Sequence, residues 1–224
     1  VVKANAYGHG MTPVARRAAA WGVDMLGVAT VDEGIALRDA GLTTPILLLF
    51  QPPRAALAAA VSHNLQVTLC DVACARQLAE TARRLNQMAT VHCMVDTGMG
   101  RQGFALERAA QEVQFVTRLS RIDVAGIATH FPSADQAEDT FTYNQIKAFR
   151  QVLKLAAKEG IPFEVGHAAN SAAVVNYPGA AFDMVRPGLM TYGVWPAQQA
   201  PAQRMVRPVM RWETTAVQVR ELEA

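Results

Sequence analysis

Residues 91–129 read V-H-C-M-V-D-T-G-M-G-R-Q-G-F-A-L-E-R-A-A-Q-E-V-Q-F-V-T-R-L-S-R-I-D-V-A-G-I-A-T. An apolar run, Val91 to Val95, passes through a glycine-rich turn into Leu106 to Arg118, where Ala, Leu, Arg and Gln carry high helix propensity, and then into a second apolar run, Val124 to Thr129. Strands that are apolar throughout, rather than alternating, suit a parallel sheet covered by helices. The stretch is therefore predicted to be a β-α-β unit, and it sets the fold class as α/β.

Working outward, the same pattern repeats along the chain. Further strand candidates are Val1 to Lys3, Met25 to Ala29, Pro45 to Phe50, Gln66 to Leu69, Phe163 to Gly166 and Phe182 to Val185. Helices are predicted over Thr12 to Trp21, Val31 to Ala40, Val72 to Asn86 and Tyr143 to Glu159. Eight strands by residue 185 suit a closed (β/α)8 TIM-type barrel. An open doubly wound sheet satisfies the same periodicity. The barrel is assigned to residues 1–205. Val209 to Leu222 alternates like a strand, so residues 206–224 are expected to begin a second, C-terminal β-domain. The start inside a strand without an initiator Met, and the end without a turn signal, give the expectation of a piece of a longer chain.

Composition narrows the function classes. Hydrophobic residues make up 51% and charged residues 18% of the 224, and 21 basic against 19 acidic side chains leave +2, which excludes disorder and a strongly basic nucleic-acid surface. The expected partner is a small molecule, with no nucleic acid and no membrane. No apolar run approaches the roughly 18 residues that span a bilayer, and no signal-peptide pattern opens the chain. Three cysteines, Cys70, Cys74 and Cys93, indicate neither a disulfide framework nor a zinc site, and no metal is expected. A reducing cytoplasm is the expected setting.

Barrels place chemistry just past the C-terminal ends of their strands. That rule selects Lys3, Asn5 and Tyr7 after strand one, Asp96 to Arg101 after strand five and His130 after strand six. It also selects His167, Asn170 and Ser171 after strand seven, and Arg186 and Gly188 after strand eight. A lysine at a barrel mouth can form a Schiff base, and the loops after strands seven and eight commonly bind phosphate. Together they point to pyridoxal 5'-phosphate. Ser171, opening a helix, could hold the phosphate at a helix N-terminus, with Gly188 admitting a close backbone approach. Arg186, which does not give up its proton, could meet the pyridine nitrogen and keep it unprotonated, favouring brief proton exchange at Cα over transamination.

These residues carry a resemblance. V-V-K-A-N-A-Y-G-H-G at Val1 to Gly10 resembles the cofactor-lysine motif of alanine racemases, which is long and specific. M-V-D-T-G-M-G-R-Q-G-F (Met94 to Phe104), T-H-F (Thr129 to Phe131), H-A-A-N-S-A-A (His167 to Ala173) and M-V-R-P-G (Met184 to Gly188) resemble the same family in order and spacing. The resemblance covers almost the whole chain and implies the barrel. It implies that Lys3 holds the cofactor and acts as one base. Tyr7, Ser171 and the backbone of Gly188 and Leu189 would hold the phosphate, with Asn170 beside them. His130 would pack beside the ring, Arg101 would bond the phenolate oxygen and place the substrate carboxylate, and Arg186, supported by His167, would meet the pyridine nitrogen. The implied activity is interconversion of L- and D-alanine, supplying D-alanine for peptidoglycan, by a full-length homodimer.

Two departures stand out. Met94 occupies the position, seven before Arg101, where the family commonly has a lysine, often carbamylated. The family's second base, a tyrosine of the C-terminal domain, lies beyond Ala224, so residues 1–224 alone are expected to bind cofactor but racemise poorly. Met94 also motivates a broad-specificity amino-acid racemase as an alternative, and a non-catalytic pyridoxal-phosphate-binding barrel is a second one. Gly98 to Gly103 matches G-x-G-x-x-G, yet it follows the fifth strand rather than opening a first βαβ unit, so a dinucleotide site is set aside. His92, inside a strand, is expected to be a satisfied core or outward-facing histidine.

Overall fold

The computed structural model describes residues 1–197 and 206–221. Its strand pairings are all parallel. β1 (Leu26–Val28) pairs with β2 (Ile46–Leu48), and β3 (Val67–Leu69) pairs with β4 (Ala89–Asp96). β6 (Ile122–Ala128) lies between β4 and β7 (Val165–His167), while the two-residue β5 (Phe104–Ala105) adds to the outer end of β4. Single bridges complete the wall, Leu47 to Gln66 joining β2 to β3 and His167 to Met184 extending past β7. On the remaining side the Val2 amide donates to Gly27 O at 2.8 Å and the Val1 nitrogen donates to Pro187 O at 3.0 Å. Eight strand positions thus close into the ring read from the sequence.

Helices α1 (Lys3–Tyr7), α2 (Met11–Ala20), α3 (Val31–Asp39), α4 (Leu57–Ser62), α5 (Val72–Arg84), α6 (Ala109–Thr117), α7 (Thr140–Lys158) and α8 (Ser171–Asn176) connect these positions. Polar caps fix where several begin. Thr30 and Glu33 form a reciprocal capping box on α3, Asp71 accepts from the Cys74 amide on α5, and Asp139 accepts from the Phe141 and Thr142 amides on α7. α5 turns Ala75, Leu78, Ala79 and Ala82 inward at i, i+3, i+4 and i+7, the stripe a barrel-covering helix needs. Phe104, Phe131 and Phe149 are fully buried.

Three expectations are corrected. Val1 to Lys3 is a strand position only through Val2, because Lys3 already opens α1. Ala4, Asn5, Ala6 and Tyr7 all have φ between 51° and 54°, so α1 is a left-handed turn. Phe182 to Val185 contributes only the Met184 bridge, since Phe182 itself has φ 49°, which no strand residue adopts. Over residues 206–221 the expected alternating strand is not formed, and Val217 and Val219 are exposed; Leu222 lies outside the described residues.

Candidate active site

One cavity of about 610 Å³ opens at the C-terminal rim of the barrel, within the range of small-molecule sites. It is lined by Lys3, Tyr7, Arg101, His130, His167, Asn170, Ser171, Arg186, Gly188 and Leu189, whereas Asn5 and Asp96 to Gly100, which the strand-end rule also selected, do not line it.

Lys3 reaches the rim through the left-handed turn. Each left-handed non-glycine residue is disfavoured, and local bonds hold the turn in place. The Ala4 amide donates to Glu33 Oε1 at 2.7 Å, Ala6 N donates to Val2 O at 2.9 Å, and Met11 N donates to Asn5 Oδ1 at 2.8 Å. Glu33 Oε2 also accepts from Ala29 N at 2.7 Å, so one carboxylate ties the lysine turn to the end of β1. Phe50, at the end of the third strand candidate, forms the floor between two cations. Lys3 Nζ lies 5.3 Å and Arg101 Cζ 4.8 Å from its ring centre.

On the opposite wall, Ser171 Oγ accepts from Gly188 N at 2.8 Å and Met190 N at 3.2 Å. A hydroxyl that accepts twice keeps its own proton to donate. A Cβ on Gly188 would lie 2.5 Å from Tyr7 Oη, so only glycine lets that hydroxyl stand against the chain here. Tyr7 in turn packs on Tyr192, ring centres 5.0 Å apart, and burial raises both phenols, Tyr192 to about 12 with a smaller push from Tyr7. With six residues, α8 supplies little dipole, so an anion held on this wall would depend on Tyr7, Ser171 and the adjoining backbone. Asn170 spends its side chain on structure: Oδ1 caps α8 through Ala173 N, and Nδ2 donates to Phe131 O, both at 2.9 Å.

Arg186 sits at the back of the cavity. Its Nη2 donates to Thr129 O at 2.7 Å and Ala168 O at 3.0 Å, and its Nη1 lies 2.6 Å from His167 Nδ1. Burial, then the Arg101 charge, lowers its pKa to about 10, which still leaves it cationic at neutral pH. His130 is driven down to about 3 by burial first, then by Arg186, Arg101 and Lys3, and so is a neutral ring in a cationic cavity. The chemistry of this donor set matches one ligand class, an anionic aromatic aldehyde. A lysine amine is available for a carbonyl, hydroxyl donors for a phosphate and a permanently protonated guanidinium for a ring nitrogen. Pyridoxal phosphate fits.

Arg101 follows a loop that closes on itself, Asp96 Oδ1 accepting from Gly98 N at 2.9 Å and Gly100 N at 3.1 Å. β5 follows rather than a helix, in keeping with setting the dinucleotide reading aside. Met94 lines the same cavity. Sequence reasoning missed Phe50, Glu33, Thr129 and the partner of His92. The strand-end rule could have found Phe50, whereas Glu33 was visible only as a cap residue.

Comparison with known proteins places this geometry. Residues 1–196 match the family model described as alanine racemase, N-terminal domain. An alanine racemase from Desulforamulus reducens is 39% identical over 226 aligned positions, covering 100% of this chain and 61% of that protein. One from Syntrophobacter fumaroxidans is 38% identical, covering 100% of this chain and 60% of that protein. Among solved structures, alanine racemase from Clostridium difficile 630 in complex with cycloserine superimposes with a TM-score of 0.89 at 35% identity, over 92% of this chain and 57% of that one. Alanine racemase from Streptomyces lavendulae gives 0.85 at 34%, over 92% and 56%. The chain spans about three-fifths of the length of the curated relatives it matches. Motifs, barrel and rim cavity agree with these matches, and the chain belongs to the alanine racemase family, whose N-terminal domain it matches.

Proposed function

We propose that the chain is the cofactor-bearing barrel of a pyridoxal-phosphate-dependent alanine racemase that interconverts L- and D-alanine. The observation that supports this most is the convergence on one cavity of Lys3 and Tyr7 with Ser171 and Arg186, two pairs far apart in sequence. The cofactor would withdraw electrons from the amino acid so that its Cα–H becomes acidic. Lys3 would hold it and take or return the Cα proton on one face. Tyr7 and Ser171 would grip the phosphate, and Arg186 would donate to the pyridine nitrogen without surrendering a proton. Arg101 would take the substrate carboxylate, its guanidinium braced on Phe50 rather than on the family's lysine, which is Met94 here. The whole protein would work as a homodimer in the cytoplasm, its product feeding peptidoglycan synthesis.

The test is to incubate the chain with pyridoxal phosphate, reduce with borohydride and map the modified peptide, with Lys3→Ala as control. Labelling confined to Lys3 is expected. Labelling scattered over Lys147, Lys154 and Lys158, with none at Lys3, overturns the assignment. In the full-length protein, turnover of amino acids bulkier than alanine would shift the substrate class to the broad-specificity reading that Met94 motivates.

A further inference from the structure

A line of four side chains runs from the back of the cavity into the barrel interior. Arg186 Nη1 lies 2.6 Å from His167 Nδ1, His167 Nε2 lies 2.8 Å from His92 Nδ1, and His92 Nε2 lies 2.8 Å from Gln66 Oε1. Both histidines are 1% exposed, so no water competes for their ring nitrogens.

Donor and acceptor roles in this line follow from one end. A guanidinium only donates, so His167 Nδ1 must accept and its single ring proton must sit on Nε2. That proton can only point at His92 Nδ1, which must accept in turn, placing the His92 proton on Nε2. The last donor needs an acceptor, and the Gln66 amide must turn its oxygen toward it. Burial holds both histidines neutral, with Arg186 acting in the same direction, so that the His92 value falls to about 4. The backbone is shaped for this arrangement. The β4–β6 register slips between Val91 and His92, and a Cβ on Gly126 would collide with His92 Nδ1, the atom that accepts.

We propose that Gln66 and His92 are positioning residues for Arg186, setting a one-way hydrogen-bond relay, Arg186 to His167 to His92 to Gln66, that fixes the guanidinium and its proton inventory at the cofactor ring. Of five guanidinium N–H groups, two bond the carbonyls of Thr129 and Ala168 and one bonds His167, leaving two for the cavity. If the relay reversed, His167 Nδ1 would carry a proton facing an arginine N–H, and the guanidinium would have to swing away. The functional meaning of the relay rests on the cofactor reading above; its hydrogen-bond direction does not.

The test separates the two. In the cofactor-free chain labelled with 15N-histidine, long-range 1H–15N correlation reports which ring nitrogen of His92 and His167 is protonated. Both are expected as pure Nε2–H forms at pH 7.5. An Nδ1–H form or an imidazolium at either residue overturns the proposal, and this wild-type spectrum decides even where a variant unfolds. Gln66→Leu, checked by circular dichroism for fold, leaves the direction set from Arg186 but strips the His92 Nε2 proton of its acceptor, so that proton's resonance should move upfield. An unmoved resonance overturns the role of Gln66. Gln66→Glu keeps an acceptor and makes it anionic, so the same proton should move downfield; an unmoved resonance there also counts against it. Failure of borohydride trapping at Lys3 with the tautomers intact would sink the cofactor reading and spare the relay.

Discussion

Ala4 and Ala36 invite the same substitution with opposite results. Both are exposed, but Ala4 has φ 51° in the left-handed turn, whereas Ala36 lies within the right-handed helix α3. Replacing Ala4 with Gly removes a left-handed penalty of about 1–2 kcal/mol and restores unfolded-chain freedom costing about 0.5–1 kcal/mol, a net gain near 0.7 kcal/mol. The Glu33 bond to the Ala4 amide is a backbone bond and survives the change. Ala36→Gly has no penalty to relieve and should cost about 1 kcal/mol. Ala6, at 0% exposure, is intermediate, because glycine there also forfeits a buried methyl worth about 0.8 kcal/mol and the two effects nearly cancel. Equilibrium unfolding in urea should order the variants Ala4→Gly, wild type with Ala6→Gly, then Ala36→Gly. At about 2–4 °C per kcal/mol for a chain of this size, Ala4→Gly should melt about 2 °C higher and Ala36→Gly about 3 °C lower than wild type. Equal destabilisation by Ala4→Gly and Ala36→Gly would refute the left-handed turn as a store of strain.

Two further outcomes follow from the cavity and its histidines. Gly188→Ala should push Tyr7 Oη out of place and remove a charge-assisted phosphate bond of about 1.5–3 kcal/mol, weakening pyridoxal phosphate binding tenfold or more by fluorescence titration. The melting temperature should barely change, because φ at Gly188 is −118°; unaltered affinity would remove Tyr7 from the phosphate site. His92, His130 and His167 are all depressed from 6.5, so below that value the unfolded chain binds protons that the folded one refuses. The stability these three histidines contribute is therefore complete above pH 6.5 and lost as pH falls toward 4, by up to about 1.4 kcal/mol per pH unit for each histidine. Urea midpoints flat from pH 7.5 to 4.5 would contradict this.

The strand positions were legible because burial on both faces leaves uninterrupted Val, Ile and Leu runs, and the rim residues because barrel geometry ties function to strand ends. The lysine turn was not legible. Val-Val-Lys reads as strand, and Ala-Asn-Ala-Tyr carries no glycine to announce four positive φ angles. His92 was read as a satisfied core or an outward-facing histidine, and the structure buries it, but its partner stands 75 residues away, and Gln66 looked like the ordinary start of a strand. Pairings between neighbouring strands are set by register, which no local pattern encodes. Residues 206–221 show the converse, since alternation at Val217 and Val219 promises a strand but supplies no ladder partner to form one.

The barrel is joined most thinly around its first and last strand positions, which meet through one hydrogen bond from Val1 N to Pro187 O and hold their other neighbours by the Val2–Gly27 bond and the His167–Met184 bridge. The proposed cofactor would be gripped from both sides of that seam, by Lys3 and Tyr7 on one edge and Ser171 and Gly188 on the other. It would act as a latch as well as a reagent. At a concentration 100 times its dissociation constant, such a ligand adds about 2.7 kcal/mol to the folded state. Because that gain falls on the weakest closure, amide hydrogen exchange at Val2 and Arg186 should slow on loading far more than exchange in β4 and β6, whose ladders are already complete.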